Sequence, residues 1–326
     1  MSVEYEEKAV SEKGIAFNEA LELYNLSENN FLQVFASATR IREKFKGKRV
    51  ILCSIVSAKS GGCSEDCSFC AQSVHYRTNA PLYPMITSEQ ILKTAKEAHA
   101  AGASEFSVVT SGREVATDKE LSVLVSSFKN ISDELKIPCC ASLGILDEER
   151  GKALKDAGLT NYHHNLETSE SFYGNICTTH SYGERIETVK IAKKLGFKVC
   201  SGGIFGMGES VKQRIELAFT LKELGVDSIP MNFLNPIPGT PLEGTTPMKP
   251  LEILRLISIY RFIHPNKDII VCGGREVNLR SLQSLIFYAG ANGTLMGNYL
   301  TTKGDSPDKD MQMIKDLGLE PEKDIC

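Results

Sequence analysis

Short β-prone runs alternate with helix-like stretches through most of the chain. The runs fall at 50–56, 105–110, 137–143, 161–166, 197–203, 226–233, 268–273 and 293–296. Seven of them lead into helical spacing, at 88–101, 118–135, 147–157, 181–195, 210–224, 250–263 and 277–289. Four of these helices end in one form, Ala101-Gly102, Ala157-Gly158, Leu195-Gly196 and Leu224-Gly225. Glycine is favoured just past a helix C-terminus, so each pair marks the return to a strand. Eight strands alternating with helices over about 250 residues predict an α/β chain folded as a (β/α)8 TIM barrel. A doubly wound open sheet is the competitor that periodicity leaves standing.

Residues 1–48 precede this alternation. Phe31, Leu32, Val34, Phe35, Ala38 and Ile41 sit at helical spacing there, which predicts an N-terminal helical extension packed on the barrel. Residues 49–326 are then the barrel, with a closing helix at 306–317. Hydrophobic residues are 42% of the 326, enough to bury a large core. The net charge of −4 argues against nucleic acid or a membrane surface as partner. No apolar run approaches the ~20 residues that span a bilayer. Residues 1–13 lack the apolar core of a signal peptide, so a cytoplasmic location is expected.

The chain has 10 cysteines, and a reducing compartment disfavours disulfides, so they point to metal ligation, catalysis or burial. Three crowd the loop after the first strand, in Gly61-Gly62-Cys63-Ser64-Glu65-Asp66-Cys67-Ser68-Phe69-Cys70. Three thiolates at this spacing can hold three irons of a [4Fe–4S] cube and leave the fourth iron open to a small molecule. Zinc with His75 as fourth ligand is the alternative, although no second C-x2-C closes such a site. Inert burial fits poorly, because the neighbours are Gly, Ser, Glu and Asp.

Two further segments fall where barrel strands end, the place where barrels carry their chemistry. At the fourth, strand alternation directs His163, Asn165 and Glu167 to one face, and His163 and His164 to opposite faces. Glu167 there either accepts from a ligand's hydroxyls or caps the next helix. At the fifth lies Gly202-Gly203-Ile204-Phe205-Gly206-Met207-Gly208-Glu209, a glycine-rich turn that lacks the dinucleotide spacing.

The cysteine loop, with Phe69 as its aromatic, resembles the signature of the radical S-adenosylmethionine superfamily. That resemblance implies a [4Fe–4S] cluster on Cys63, Cys67 and Cys70 whose open iron chelates S-adenosylmethionine. Reductive cleavage then gives a 5′-deoxyadenosyl radical. The turn at 202–209 is similar to the superfamily's adenine-packing pattern, with Ile204 and Gly206 at its matching positions.

Across nearly the whole chain, segments 63–76, 162–176, 198–209, 239–242, 273–276, 289–292 and 300–302 look like the biotin synthase family within that superfamily. The resemblance implies insertion of sulfur into dethiobiotin, with the sulfur drawn from an auxiliary iron–sulfur cluster in the barrel, [2Fe–2S] or a variant. Phe69, Asn165, Glu167 and Arg185 match positions that bind S-adenosylmethionine; Glu167 stands where Asp is usual. His163, Asn165 and Asn232 match positions around the ureido ring, with His163 where Asn is usual. Thr301 and Thr302 match positions that hold the carboxylate tail.

For the auxiliary cluster the family's better-known branch has Cys on strands two, three and five and Arg on strand seven. Here Cys140, Cys200 and Arg275 match, Ser107 replaces the strand-two Cys, and Cys53 on strand one stands where that branch has Ser. The expected auxiliary set is therefore Cys53, Cys140 and Cys200 with Arg275, which with Asn165 is also expected at the catalytic centre. A guanidinium only donates hydrogen bonds, so Arg275 suits a charge partner better than a ligand. Cys272 is a reserve ligand. Cys139 is expected buried outside the strands, Cys177 has no assigned chemistry, and Cys326 is expected to be frayed. The resemblance further implies a low-potential donor, flavodoxin or ferredoxin, and a homodimer. A related radical enzyme of another small substrate, similar to hydrogenase maturases or methylornithine synthase, is the second reading. An electron-transfer or iron–sulfur storage protein is the third.

Overall fold

Eight parallel strand positions close into a ring, with helices outside. The computed structural model describes residues 2–11 and 13–322; Cys326 lies outside the described residues. The strands are β1 (Arg49–Lys59), β2 (Glu105–Thr110), β3 (Cys139–Ser142), β4 (Asn161–His163), β5 (Lys198–Cys200), β6 (Gly203–Phe205), β7 (Ser228–Phe233), β8 (Asp268–Val271) and β9 (Gly293–Leu295). β5 and β6 both pair with β7 and are two halves of the fifth position, interrupted at Ser201-Gly202. Pairing of β1 with β9, Leu52 opposite Thr294, closes the barrel and removes the open-sheet alternative. A short β10 (Glu320–Pro321) adds beside Arg49 and Val50, which the sequence pattern did not suggest.

The helices are α1 (Ser2–Ser11), α2 (Phe17–Leu26), α3 (Phe31–Lys46), α4 (Ser88–Ala100), α5 (Asp118–Leu135), α6 (Glu148–Asp156), α7 (Glu170–Tyr173), α8 (Tyr182–Lys194), α9 (Val211–Glu223), α10 (Pro250–Ile263), α11 (Arg275–Leu279), α12 (Leu285–Tyr288) and α13 (Pro307–Asp316). Local sequence explains their ends. Thr87, Ser181 and Ser210 each cap a helix N-terminus, with Gln90, Glu184 and Gln213 reaching back to the cap backbone. After α6, Gly158 takes φ +96° and Leu159 N–H reaches Leu154 O at 3.1 Å, which turns the chain toward β4. The single helix expected at 277–289 is broken into α11, a 3-10 turn (Arg280–Leu282) and α12.

α1 to α3 cover the outside of α10. Arg255 on α10 donates to Ser27 Oγ at 2.8 Å and Tyr24 O at 3.0 Å, and its guanidinium stacks over the Tyr24 ring. α10 can be apolar nearly all round, from Ile253 to Ile263, because this layer shields it.

The barrel strands divide two faces cleanly. Leu52, Phe106, Val108, Ile229, Met231, Ile269 and Val271 face the helices and are fully buried. The inward residues of the same strands are Cys53, Glu105, Ser107, Pro230, Asn232 and Ile270, with Cys272 just past the end of β8. A TIM-barrel interior is ordinarily filled by branched apolar side chains. Here it is a cavity of about 450 Å³.

Candidate active site

The loop after β1 delivers Cys63, Cys67 and Cys70 to the mouth of this cavity. Its fold is fixed by backbone bonds: Cys63 N–H to Gln72 O at 3.0 Å, Val74 N–H to Cys63 O at 2.8 Å and Ser68 N–H to Ile176 O at 2.8 Å. All three are free thiols. Phe69 packs beside them on the cavity wall. His75 is turned away, with Nε2 on Ser64 O at 3.0 Å, so the zinc alternative lacks its fourth ligand. Three free thiols on one concave loop fit a cubane with a vacant corner. Burial raises Cys70 to about 11, so metal loading must release protons.

Next to that loop, β4 ends at His163 and the chain continues irregularly. Strand alternation stops with it, and His163, His164, Asn165 and Glu167 all reach the cavity, against the expectation that the two histidines diverge. Glu167 takes φ +69°, rare for a residue with a side chain, and its backbone O accepts Ile204 N–H at 2.8 Å. Arg185 stands over this turn, donating to Tyr173 Oη at 2.8 Å and Asn165 O at 2.9 Å, with Glu167 Oε1 at 3.5 Å. Burial raises the Glu167 carboxyl, opposed by the Arg185 charge. Glu167 Oε2 is buried with no partner, an acceptor suited to a hydroxyl-bearing ligand. Ile204 lines the cavity, whereas Gly206 does not. Gly206 and Met207 donate their N–H groups to the Glu209 carboxylate, each at 2.7 Å, and Arg214 locks Glu209 at 2.6 Å. That glycine turn is thus braced from behind by its own glutamate.

Deeper in the barrel, Cys53, Cys140, Cys200 and Cys272 line one space from four strand positions. They lie close enough for their charges to act on one another, with Glu105 beneath. Cys53 Sγ is 3.6 Å from Glu105 Oε2. Burial pushes every one of these thiols up, Cys272 to about 12. Ser107 is beside Cys140 in strand register and also faces the cavity. Cys139 points to the helices, as expected.

Arg275 does not join this group. Gly274 takes φ +79°, and a Cβ there would lie 1.8 Å from Phe233 O, so the chain swings away from the lumen before Arg275. The guanidinium is fully buried against Asp310 at 2.6 Å, Thr294 Oγ1 at 3.0 Å and Glu276 at 3.2 Å. Its charge still reaches Cys272, opposing the rise that burial causes there.

The residues expected around a substrate are mixed in their freedom. Asn165 and Asn232 line the cavity, yet Asn165 Oδ1 accepts Gly202 N–H at 3.1 Å. The Asn232 amide bridges Gly273 N–H at 2.9 Å and Gly203 O at 3.2 Å. Burial lowers His163 to about 4, which leaves a neutral ring. Thr301 and Thr302 reach the mouth on a strap after β9, with Tyr299 and Leu300 beside them.

Some site residues carried no recognisable sequence signal. Cys177, Thr179 and His180 sit against Cys67 and Glu65 only because the turn before α8 folds onto the cysteine loop. Cys67, Cys177 and His180 offer ligand atoms within 4.8 Å of one another. Glu105 was an ordinary strand residue in the sequence.

Comparison with known proteins agrees with this geometry. Residues 58–233 match the radical SAM superfamily model, and residues 230–320 match the biotin and thiamin synthesis associated domain. The biotin synthase of Geotalea uraniireducens is 51% identical over 312 residues, covering 96% of this chain and 95% of that protein. That of Geobacter sulfurreducens is 53% identical over 302 residues, covering 93% and 92%. Among solved structures, methylornithine synthase superimposes with a TM-score of 0.86 at 20% identity, covering 98% of both chains. The [FeFe]-hydrogenase maturase HydG gives 0.84 at 18%, covering 98% of this chain and 75% of that one. At such identities the structural likeness speaks for the fold alone. No helix among the described residues is long and apolar enough to cross a membrane.

Proposed function

The chain belongs to the biotin synthase family of radical S-adenosylmethionine enzymes, and from that membership we propose how its own residues divide the work of inserting sulfur into dethiobiotin. The cofactors are a [4Fe–4S] cluster, S-adenosylmethionine and an auxiliary iron–sulfur cluster; when bound, they supply a carbon-centred oxidant and the sulfur. Cys63, Cys67 and Cys70 hold the first cluster. Glu167 takes the ribose hydroxyls on its unpaired oxygen, Arg185 balances that carboxylate, and Phe69, Asn165, Ile204 and the Gly206 turn shape the rest of the pocket.

Cys53, Cys140 and Cys200 hold the auxiliary cluster, and Cys272 joins them as the fourth thiol. Arg275 acts on that site by charge through Cys272, not by ligation. The neutral His163 ring and the Asn165 amide face the ureido group of dethiobiotin, Asn232 holds the floor of that subsite, and Thr301 and Thr302 hold the carboxylate tail. Residues 1–48 serve as a helical cover for the barrel of 49–326. The remaining partners are a flavodoxin or ferredoxin and a second copy of the chain, in the cytoplasm.

One observation carries this reading: both thiol groups open on a single cavity of about 450 Å³. A short-lived radical and a sulfur donor must reach one substrate, and one shared lumen meets that need. The test is anaerobic incubation of reconstituted protein with dethiobiotin, S-adenosylmethionine, iron, sulfide and a reductant. Biotin and 5′-deoxyadenosine should form together. Cys53→Ala retaining a full complement of auxiliary iron would remove Cys53 from the ligand set.

A further inference from the structure

Glu105 is a cavity-lining carboxylate that the reaction as described leaves without a task. Its strand, β2, runs between β1 and β3, which carry Cys53 and Cys140. β2 itself turns no thiol inward; strand alternation gives it Glu105, Ser107 and Val109 on that face. Glu105 stands opposite Cys53 in strand register, and Cys53 Sγ lies 3.6 Å from Glu105 Oε2. The other oxygen, Oε1, has the Asn161 amide at 3.5 Å. Burial disfavours a charge here, Lys198 acts on it only from a distance, and no Lys, Arg or His among the described residues forms an ion pair with it. A carboxylate kept inside a protein is paired with a cation or coordinates a metal.

The distance between the two side chains points to the metal. A metal–thiolate bond of about 2.3 Å and a metal–carboxylate bond of about 2.1 Å, set at a tetrahedral angle, place sulfur and oxygen about 3.6 Å apart. Cys53 and Glu105 already stand at that spacing. Their strands pair directly, so the barrel wall sets it.

We propose that Glu105 is a further ligand of the auxiliary site and that one of its carboxylate oxygens shares a single tetrahedral iron with the Cys53 sulfur. This rests on the deep thiols holding the auxiliary cluster. Cys53 and Glu105 fill two positions on that iron and leave two for bridging sulfides. Cys140, Cys200 and Cys272 serve the remaining iron. Each protein group binds through a lone pair, and metal entry releases its proton to solvent. An iron with an oxygen donor differs electronically from all-sulfur neighbours, since ligand type and charge tune such centres.

The test is Mössbauer spectroscopy of reconstituted holoenzyme, with electron–nuclear double resonance on its reduced auxiliary signal after the glutamate carboxyl carbons are isotopically labelled. The native chain should show one iron subspectrum that is not all-sulfur, beyond that of the open iron on Cys63, Cys67 and Cys70. It should also show a labelled-carbon coupling at the auxiliary signal. Glu105→Ala should lose both, and Cys53→Ala should lose the same subspectrum because the two groups share that iron. Glu105→Gln keeps the side chain's size and stands in if the alanine variant does not fold. Absence of the coupling in the native chain overturns the proposal, and so does a subspectrum that survives in folded Glu105→Ala. Cys140→Ala isolates the premise: if auxiliary iron stays at its full level there, the thiol assignment fails instead.

Discussion

The Arg275 guanidinium donates to the Asp310 carboxylate at 2.6 Å, with side-chain exposures of 0% and 2%. The pair ties the turn after β8 to α13, and Thr294 on β9 completes the contact at 3.0 Å. Removing one partner leaves a buried charge uncompensated, which costs about 3–5 kcal/mol. Arg275→Met should lower the unfolding free energy of the cluster-free protein by about that amount in urea titrations, and Asp310→Asn by less, because Glu276 stays 3.2 Å from the guanidinium. Folded Arg275→Met should still load auxiliary iron in full, and a deficit would return Arg275 to the ligand set.

The four deep thiols should behave as one set. Replacing Cys53, Cys140, Cys200 or Cys272 by Ala lowers iron and sulfide per chain after reconstitution and abolishes biotin formation, while 5′-deoxyadenosine is still released. Cys139 is the control, since it neighbours Cys140 in sequence but packs among the helices. Cys139→Ala should leave the iron content unchanged and cost about 1 kcal/mol of stability. Mössbauer spectra of the variants read both outcomes.

These two predictions trace where sequence reasoning holds and where it stops. The strand at 105–110, the helix at 118–135 and the Gly-terminated helices were legible because hydrophobic period and capping chemistry are local. The inward placement of Cys53, Cys140 and Cys200 followed once strands were assigned, since strand register sets the face. The direction of the Arg275 side chain was not legible, because it depends on the left-handed Gly274 and on Asp310 in a distant helix. His163 and His164 both reach the cavity because β4 ends sooner than the run at 161–166 suggested. The break of 277–289 into short helices had no cue comparable to proline.

Acid should weaken the fold through buried histidines. His264, 3% exposed at the end of α10, is lowered to about 3 by burial, with Lys222 and Arg261 adding to it. His163 and His164 shift the same way. A folded pKa below the ordinary 6.5 means that the unfolded chain takes the proton first. The stability linked to His264 is therefore complete above about pH 6.5 and is lost as pH falls toward 3, by up to about 1.4 kcal/mol per pH unit. Urea midpoints of cluster-free protein at pH 7 and 5 should differ less in His264→Gln than in the native chain.

The strap that carries Thr301 and Thr302 is held by Glu276. Its carboxylate accepts the Tyr299 hydroxyl at 2.7 Å and Asp305 N–H at 3.2 Å, while Tyr299 N–H bonds Thr302 O at 3.0 Å. Arg275 beside it donates to the same carboxylate at 3.2 Å and holds it in place. A carboxylate bonded from both ends of the seven-residue span 299–305 sets where the two threonines stand without touching the substrate. Tyr299→Phe removes one charge-assisted bond, worth about 1.5–3 kcal/mol. If half of that is spent on ordering the strap, KM for dethiobiotin should rise by roughly 3- to 10-fold, since 1.4 kcal/mol is tenfold in binding. S-adenosylmethionine cleavage without substrate should not change, because the Tyr299 hydroxyl bonds Glu276 and not the cysteine loop. A fall in kcat with KM unmoved would mean that the strap shapes the reacting centre and not the tail subsite.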